Sequence, residues 1–453
     1  MPGTGWPFGY GELHPYYVRA NALCEAGEFA YSERAAFPHG MRPILPGFHA
    51  GHFTDASLER FSCPTDFAAR YGDRLAAAAN ISVLLHANVT EIRTSQKGRV
   101  ASVLSVATLT GRRFAVRAEK FVLAAGGLEV PRLLLVSRDH HAHGIGNAFG
   151  QVGRCYMSHL AGTIGAVRIR DARQKPFHGY EISDDGIYCR RRFALSAMAQ
   201  SKLGVGNFIA RLHHPPVFDP SHRTGALSAL YLARFLIPIE RRGRLQTENH
   251  HAWQAHLRNI ALDPSGVAKC AGHLLVNRVF AARKFPSLIV HARSGQYSLD
   301  FHAEQAPNPE SRLFISRQRD SLGMQKLHVE WRSCAVDTHT VRTSLAALAS
   351  DFSGCGCATL QYDLADIDTS LRREGAYGGH HIGTTRISVS PRAGVVDENC
   401  RVHGMQNLFV AGSAVFPTSS QANPTLTIVA MALRLADHIG AHTCQKEKEE
   451  AFT

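Results

Sequence analysis

The 453-residue sequence contains no CxxC pair among its ten cysteines; the tightest spacing is Cys355 and Cys357 in "SGCGCATL". Two thiols one residue apart fall short of the four ligands of a structural zinc site. Cysteines scattered over a chain of this length are not a disulfide framework either, so reduced thiols and a reducing compartment are expected. No apolar run is long enough to cross a bilayer, since "LSALYLARFLIPI" is short and broken by Arg234. The first residues, "MPGTGWPFGYGELHPYYVRA", carry neither a charged leader nor a signal-peptide core, which points to the cytoplasm. No repeat period or low-complexity tract is present, and only "QKEKEEAFT" at the end, residues 444–453 with the preceding Cys, reads as a frayed charged tail.

What is present is a globular composition, 45% hydrophobic and 19% charged, ample for a sizeable core. The length admits two or three domains, or one interwoven unit. A net charge of +13 raises a nucleic-acid partner, but the basic residues fall into short clusters, "GRRFAVR", "CRRRF" and "ERRGR". They form no single stripe and no reader motif, so the expectation is a solvated basic surface and no nucleic-acid binding.

Along the chain, the first sixty residues are rich in Gly, Pro and aromatics and read as loops around one short helix near Tyr16–Ala26. From Ile81 a β pattern begins: "ISVLLHANVTEI", "VASVLSVATL", then "RRFAVRAEKFVLAAGG". A short helix, "LEVPRLLLVS", follows the two glycines, and strand, glycine turn, helix is the grammar of nucleotide-binding α/β sheets. The middle of the chain mixes strands such as "GTIGAVRIR", "SLIVHAR" and "KLHVEW" with helices near 225–236 and 336–350. The α/β grammar then returns with the hairpin "VVDENCRVHGMQN", the strand "NLFVAGS" and a long helix.

That last helix opens at "ANPTLTIVAMALRLADHI". Asn423 is a favoured N-cap and Pro424 suits the first helical position, where its missing N–H costs nothing. The helix N-terminus offers unpaired N–H donors to an anion or to a ring that becomes anionic. In "GGHHIGTTR", two adjacent histidines, His380 and His381, sit between glycines. Neighbouring side chains on a strand point apart, and no HExxH or Asp-rich partner is near, so no metal site is expected.

Taken together, "GWPFGYGELHPYY", "LLHANVTEI", "FVLAAGGLEVPRLLL", "HHIGTTR" and the long C-terminal block through "SSQANPTLTIVAMALRLADH" resemble the glucose-methanol-choline (GMC) oxidoreductases. "EQAPNPESR" and the "LGM" after it look like the bacterial branch near pyranose oxidases and sugar or polyol dehydrogenases. The resemblance covers most of the chain, most weakly between about 165 and 295. It implies an α/β fold in which an incomplete FAD-binding, Rossmann-like domain is interwoven with a substrate-binding domain containing an antiparallel sheet. The implied layout is a loop-rich segment over 1–60 bordering the substrate site and a part of the FAD-binding domain over 61–160. A substrate domain follows over 161–375, then the rest of the FAD-binding domain with the active site over 376–443.

The implied activity is oxidation of a CH–OH group of a sugar, polyol or other alcohol by hydride transfer to FAD. Counting back from Gly383 places His380 at the position of the family's base, and the hydroxyl must lose a proton as its carbon loses hydride. His381 has no family role and is expected to be structural. Asn423 matches the second active-site position, with Pro424 and Thr425 against the flavin ring and the helix dipole stabilising reduced flavin. Ala411, Gly412 and Ser413 resemble the turn that contacts the ribityl and phosphate region, Ala125 and Gly126 the turn beside the dinucleotide, and Val89 the position whose backbone contacts adenine. Oxygen, a quinone or a cytochrome is the expected electron acceptor.

One family feature is missing. Enzymes of this type carry a strand, G-x-G-x-x-G and a helix within a βαβ unit of about 30 residues, and neither "GTGWPFG" nor "GIGNAFG" fits the spacing. The resemblance places "GWPFGYGELHPYY" well inside the family's proteins. Three expectations follow: a longer active protein, a separate polypeptide supplying the FAD-binding half, or a homologue that holds no FAD alone and acts as a subunit or binding protein.

Overall fold

The computed structural model describes residues 5–95, 97–171, 173–233, 253–287, 289–374 and 377–451. In chain order the strands are β1 (Phe53–Phe61), β2 (Asn88–Ser95), β3 (Val100–Ala107), β4 (Arg113–Val116), β5 (Phe121–Leu123) and β6 (Met157–Ile169). Then come β7 (Tyr180–Ile182), β8 (Tyr188–Leu195), β9 (Phe208–His213), β10 (Gln296–Glu304) and the hairpin β11 (Arg312–Arg319) and β12 (Gln325–Glu330). The last are β13 (Ala358–Gln361), β14 (Tyr377–Ile382) and β15 (Leu408–Val410). The helices that position the site are α1 (Tyr10–Leu23), α2 (Gly126–Val136), α3 (Ala335–Cys355), α4 (Leu364–Glu374) and α5 (Thr425–Ala451).

An eight-stranded sheet runs β1-β8-β9-β10-β6-β13, with β14 also paired to β6 and β7 to β8. Its alternation separates two chemistries, as the period of two in a strand requires. Leu160, Phe193, Phe208, Ala210, Leu299 and Phe301 belong to one apolar core with Val341, Leu345 and Leu348 of α3 and Ile367 and Leu371 of α4. The registers put Glu59, Arg190, Arg192, Arg211, Asp300, His302 and His159 on the opposite face. Arg211 donates to both Glu59 oxygens at 3.1 and 3.0 Å, and Thr163 donates to Asp300 at 2.6 Å. Burial would raise the Glu59 carboxyl, but Arg211 and Arg192 outweigh it and hold it below its ordinary value.

The second core lies where β5 and β15 pair in parallel, Phe121 opposite Leu408 and Leu123 opposite Val410. It gathers α2, the 387–402 turns, Phe416 and the start of α5. Two segments far apart in sequence thus form a parallel pair with each other.

Several expectations are corrected. The first helix runs Tyr10–Leu23 rather than Tyr16–Ala26, and the first sixty residues are not all loop, because Phe53–Phe61 is a strand of the large sheet. "SLIVHAR" forms no strand among its described residues; the sheet takes up the chain only at Gln296. Ile81–Leu85 is not strand either: among the described residues no strand lies beside it, and Val83, Leu84 and Leu85 are 58, 62 and 75% exposed. The arginines of "CRRRF" are not a solvated surface. Arg190 and Arg191 are buried: Arg191 pairs with Glu33, and Arg190 donates to the carbonyls of His178 and Leu212. The hairpin β11–β12 crosses the expected domain border, since Met324 and Ile315 pack in the second core. "ERRGR" and the end of the helix expected near 225–236 lie outside the described residues.

Candidate active site

β14 delivers the two histidines. Its Ile382 pairs with Met157 of β6, and the chain then runs beside the loop after β15, Gly383 N–H bonding Ser413 C=O at 3.1 Å and Thr385 N–H bonding Ala414 C=O at 2.8 Å. His381 is tied on both sides. Its Nδ1 shares a 2.8 Å hydrogen bond with Tyr156 Oη, and its carbonyl accepts from Ser413 Oγ at 2.7 Å. Gly127 in the first turn of α2 allows this approach: a Cβ there would meet the His381 carbonyl oxygen at 2.2 Å.

His380 is different. Its Nδ1 is shielded from solvent and has no partner among the described residues. Burial, and then the neighbouring His381, hold the ring below the ordinary imidazole value. The ring packs edge-on against His159, centroids 4.8 Å apart at 74°. His159 in turn has its Nδ1 3.1 Å from the carbonyl of Ser420. Ser420 reaches this position in a left-handed backbone conformation, φ 52°, a strained state for a residue with a Cβ.

Ser420 also lines a cleft of about 390 Å³ with Ser419, Ala422, Asn423, Pro424, Phe416 and Trp6, among others, a size within the range of small-molecule sites. The far wall is the N-terminal segment: Tyr17 Oη bonds Thr427 Oγ1 at 3.0 Å, and Arg19 pairs with Asp437 at 2.6 Å, so α1 is clamped along α5. His380 is not part of the cleft lining; His159 and Ser420 connect the two.

The expected N-cap is displaced by one residue. The first helical bond runs from Ile428 N–H to Pro424 C=O at 2.9 Å, so Pro424 occupies the cap position and α5 begins at Thr425. Asn423 lies before it, exposed on the cleft, with no cap hydrogen bond among the described residues. A proline at the cap has no side-chain acceptor, so the first N–H groups of α5 are left without one from that position.

At the carboxyl ends of the parallel pair, Ala411 N–H bonds Leu123 C=O at 2.9 Å, which sets Ala411, Gly412 and Ser413 beside Ala125 and Gly126. Gly126 has φ 81° and Gly412 φ 123°, and a Cβ on either would meet nothing within 4 Å. Backbone that only glycine adopts readily, facing open space at strand carboxyl ends, fits close approach by a dinucleotide. Val89 sits in β2 against the second core and takes no part in the cleft. Sequence reasoning passed over His159, Tyr156 and Glu304, the last accepting from Thr418 in the cleft wall. Their only signal was polarity on alternate positions of otherwise apolar strands. Among the described residues no cluster of three or more His, Cys, Asp or Glu could hold a metal, and no helix is long and apolar enough to cross a membrane.

A parallel strand pair with glycine turns is thus joined to an antiparallel sheet whose polar face leads to the buried His159. The GMC oxidoreductase family model matches residues 307–432. The chain is 23% identical to the 2-methyl-1,2-propanediol dehydrogenase of Mycolicibacterium austroafricanum, over 97% of this chain and 75% of that one. It is 25% identical to the fructose dehydrogenase large subunit of Gluconobacter japonicus, over 96% and 75%. The structure of pyridoxine 4-oxidase from Mesorbium loti shares the fold, with a TM-score of 0.50, 16% identity, and 95% of this chain and 70% of that one covered. Over residues 307–432 the chain is thus similar to the GMC oxidoreductases, and the relatives it matches along most of its length carry dehydrogenase names.

Proposed function

We propose that the chain oxidises a CH–OH group of a sugar, polyol or other alcohol, with His380 as the base. The observation that carries this is the unpartnered Nδ1 of His380 on a ring held uncharged near neutrality. A neutral imidazole takes the hydroxyl proton as the carbon-bound hydrogen departs. When bound, FAD would supply the hydride acceptor. Gly126 and Gly412 would let the backbone approach the cofactor, Pro424 and the Thr425 N–H would border its ring, and Val89 would meet the adenine. Asn423, exposed on the cleft, would bond the substrate hydroxyl. The polyol and sugar named for the two relatives support a polyhydroxy substrate. In FAD-loaded protein, His380→Ala should slow bleaching of the flavin band by substrate, across a panel of sugars and polyols, by at least about 100-fold. Near-normal reduction in that variant would sink the assignment.

A second reading concerns the other end of FAD. No G-x-G-x-x-G occurs in the 453 residues, and β5 and β15 pair only with each other among the described residues. Ile81–Leu85 lies exposed. We propose that the pyrophosphate is held by sequence other than these residues. The expected result is that these residues alone show no flavin band after incubation with excess FAD and gel filtration, so the flavin-reduction tests are made on protein that includes the sequence holding the pyrophosphate. A retained band would mean that this chain suffices.

A further inference from the structure

His159 belongs to β6 and is fully buried. The carbonyl of Ser420, 3.1 Å from its Nδ1, can only accept, so Nδ1 carries the ring proton. Burial, and then the neighbouring His380, push the ring down to about 4, so near neutrality it carries no second proton. Its Nε2 is therefore a bare acceptor. That atom is shielded from solvent and has no donor among the described residues. A buried acceptor left unpaired costs about 1–3 kcal/mol, and folding has placed a second unpartnered ring nitrogen, Nδ1 of His380, on the ring packed against it.

A substrate with a single hydroxyl engages one of these two rings and leaves the other unpaired. A substrate with hydroxyls on neighbouring carbons carries a donor for each of the two nitrogens, which belong to rings whose centroids are 4.8 Å apart. We propose that His159 Nε2 accepts a hydrogen bond from the hydroxyl beside the one being oxidised, so that the site selects vicinal diols over simple alcohols. This rests on His380 accepting the proton of the reacting hydroxyl. His159 transfers no proton in this scheme; it fixes which carbon faces the chemistry, and Ser420 fixes His159.

Two measurements test it. In the chain labelled with ¹⁵N-histidine and free of flavin, the ring shifts of His159, assigned by their loss in His159→Gln, should report a neutral Nδ1–H tautomer. Its Nε2 signal should move on addition of 1,2-propanediol and not on addition of 1-propanol. An Nε2–H tautomer, or the same response to both alcohols, overturns the proposal. In the FAD-loaded enzyme, the kcat/KM ratio for 1,2-propanediol over 1-propanol should fall about tenfold in His159→Leu, the loss of one hydrogen bond. It should largely return in His159→Gln, whose amide oxygen accepts. Equal losses on both alcohols would mark His159 as merely structural. The base assignment fails separately: oxidation surviving His380→Ala would overturn that reading, while the diol response of His159 would still stand.

Discussion

His380 and His381 are adjacent, yet their surroundings give them opposite duties. His381 is fastened by Tyr156 and by Ser413, whereas His380 keeps an open ring nitrogen. Because burial and His381 set the His380 ring below its ordinary value of 6.5, the base form is already populated at neutral pH. If His380 is the base, kcat/KM should rise with pH through a midpoint below 6.5 and stay level above it. A pH profile of flavin reduction checks this; a midpoint above 7 would contradict it. Which of the pair the family resemblance proposes as the base could be counted from the glycine spacing in "HHIGTTR". That His159 stands against His380 could not, because the two residues meet only when β14 pairs with β6.

At the scale of elements, the site depends on how closely α2 approaches β14. Thr384 Oγ1 donates to the Gly127 carbonyl at 2.7 Å, and the His381 carbonyl stands where a Cβ on Gly127 would go. Gly127→Ala should therefore cost about 1–3 kcal/mol of stability through overpacking and slow flavin reduction, since relief of the clash moves β14 and His380 with it. Urea unfolding and stopped-flow reduction measure the two effects. An unchanged rate would show that His380 is not positioned through this contact. The two helices with glycine turn or proline punctuation, α2 and α5, were legible because those residues act locally. "SLIVHAR" and Ile81–Leu85 misled because strand-forming side chains yield a strand only beside a partner strand.

For the molecule as a whole, the buried histidines make an acid liability. Burial, first among the causes in each case, lowers His159 to about 4, His178 to about 3 and His302 to about 3. Their ordinary value of 6.5 holds in the unfolded chain. Above pH 6.5 neither state protonates and stability is unaffected; below it the unfolded chain gains protons that the fold refuses. Stability should thus fall as pH drops from 6.5 toward 4, by on the order of 1 kcal/mol per histidine per pH unit. Denaturant titrations across that range check the slope, and a flat profile would mean that these rings protonate freely in the folded protein.

The sequence by itself carried the family resemblance, the glycine turns at Gly126 and Gly412, and the two histidines with the long helix after Asn423. Each of these is encoded in short, local patterns whose physics is complete within a few residues. Tertiary structure alone decided that the "CRRRF" arginines are buried, that Pro424 rather than Asn423 caps the helix, and that His159 joins the site. Burial, cap geometry and an unpaired ring nitrogen are properties of neighbours in space, and here those neighbours come from strands separated by more than a hundred residues, such as Arg192 of β8 and Glu59 of β1, 3.8 Å apart.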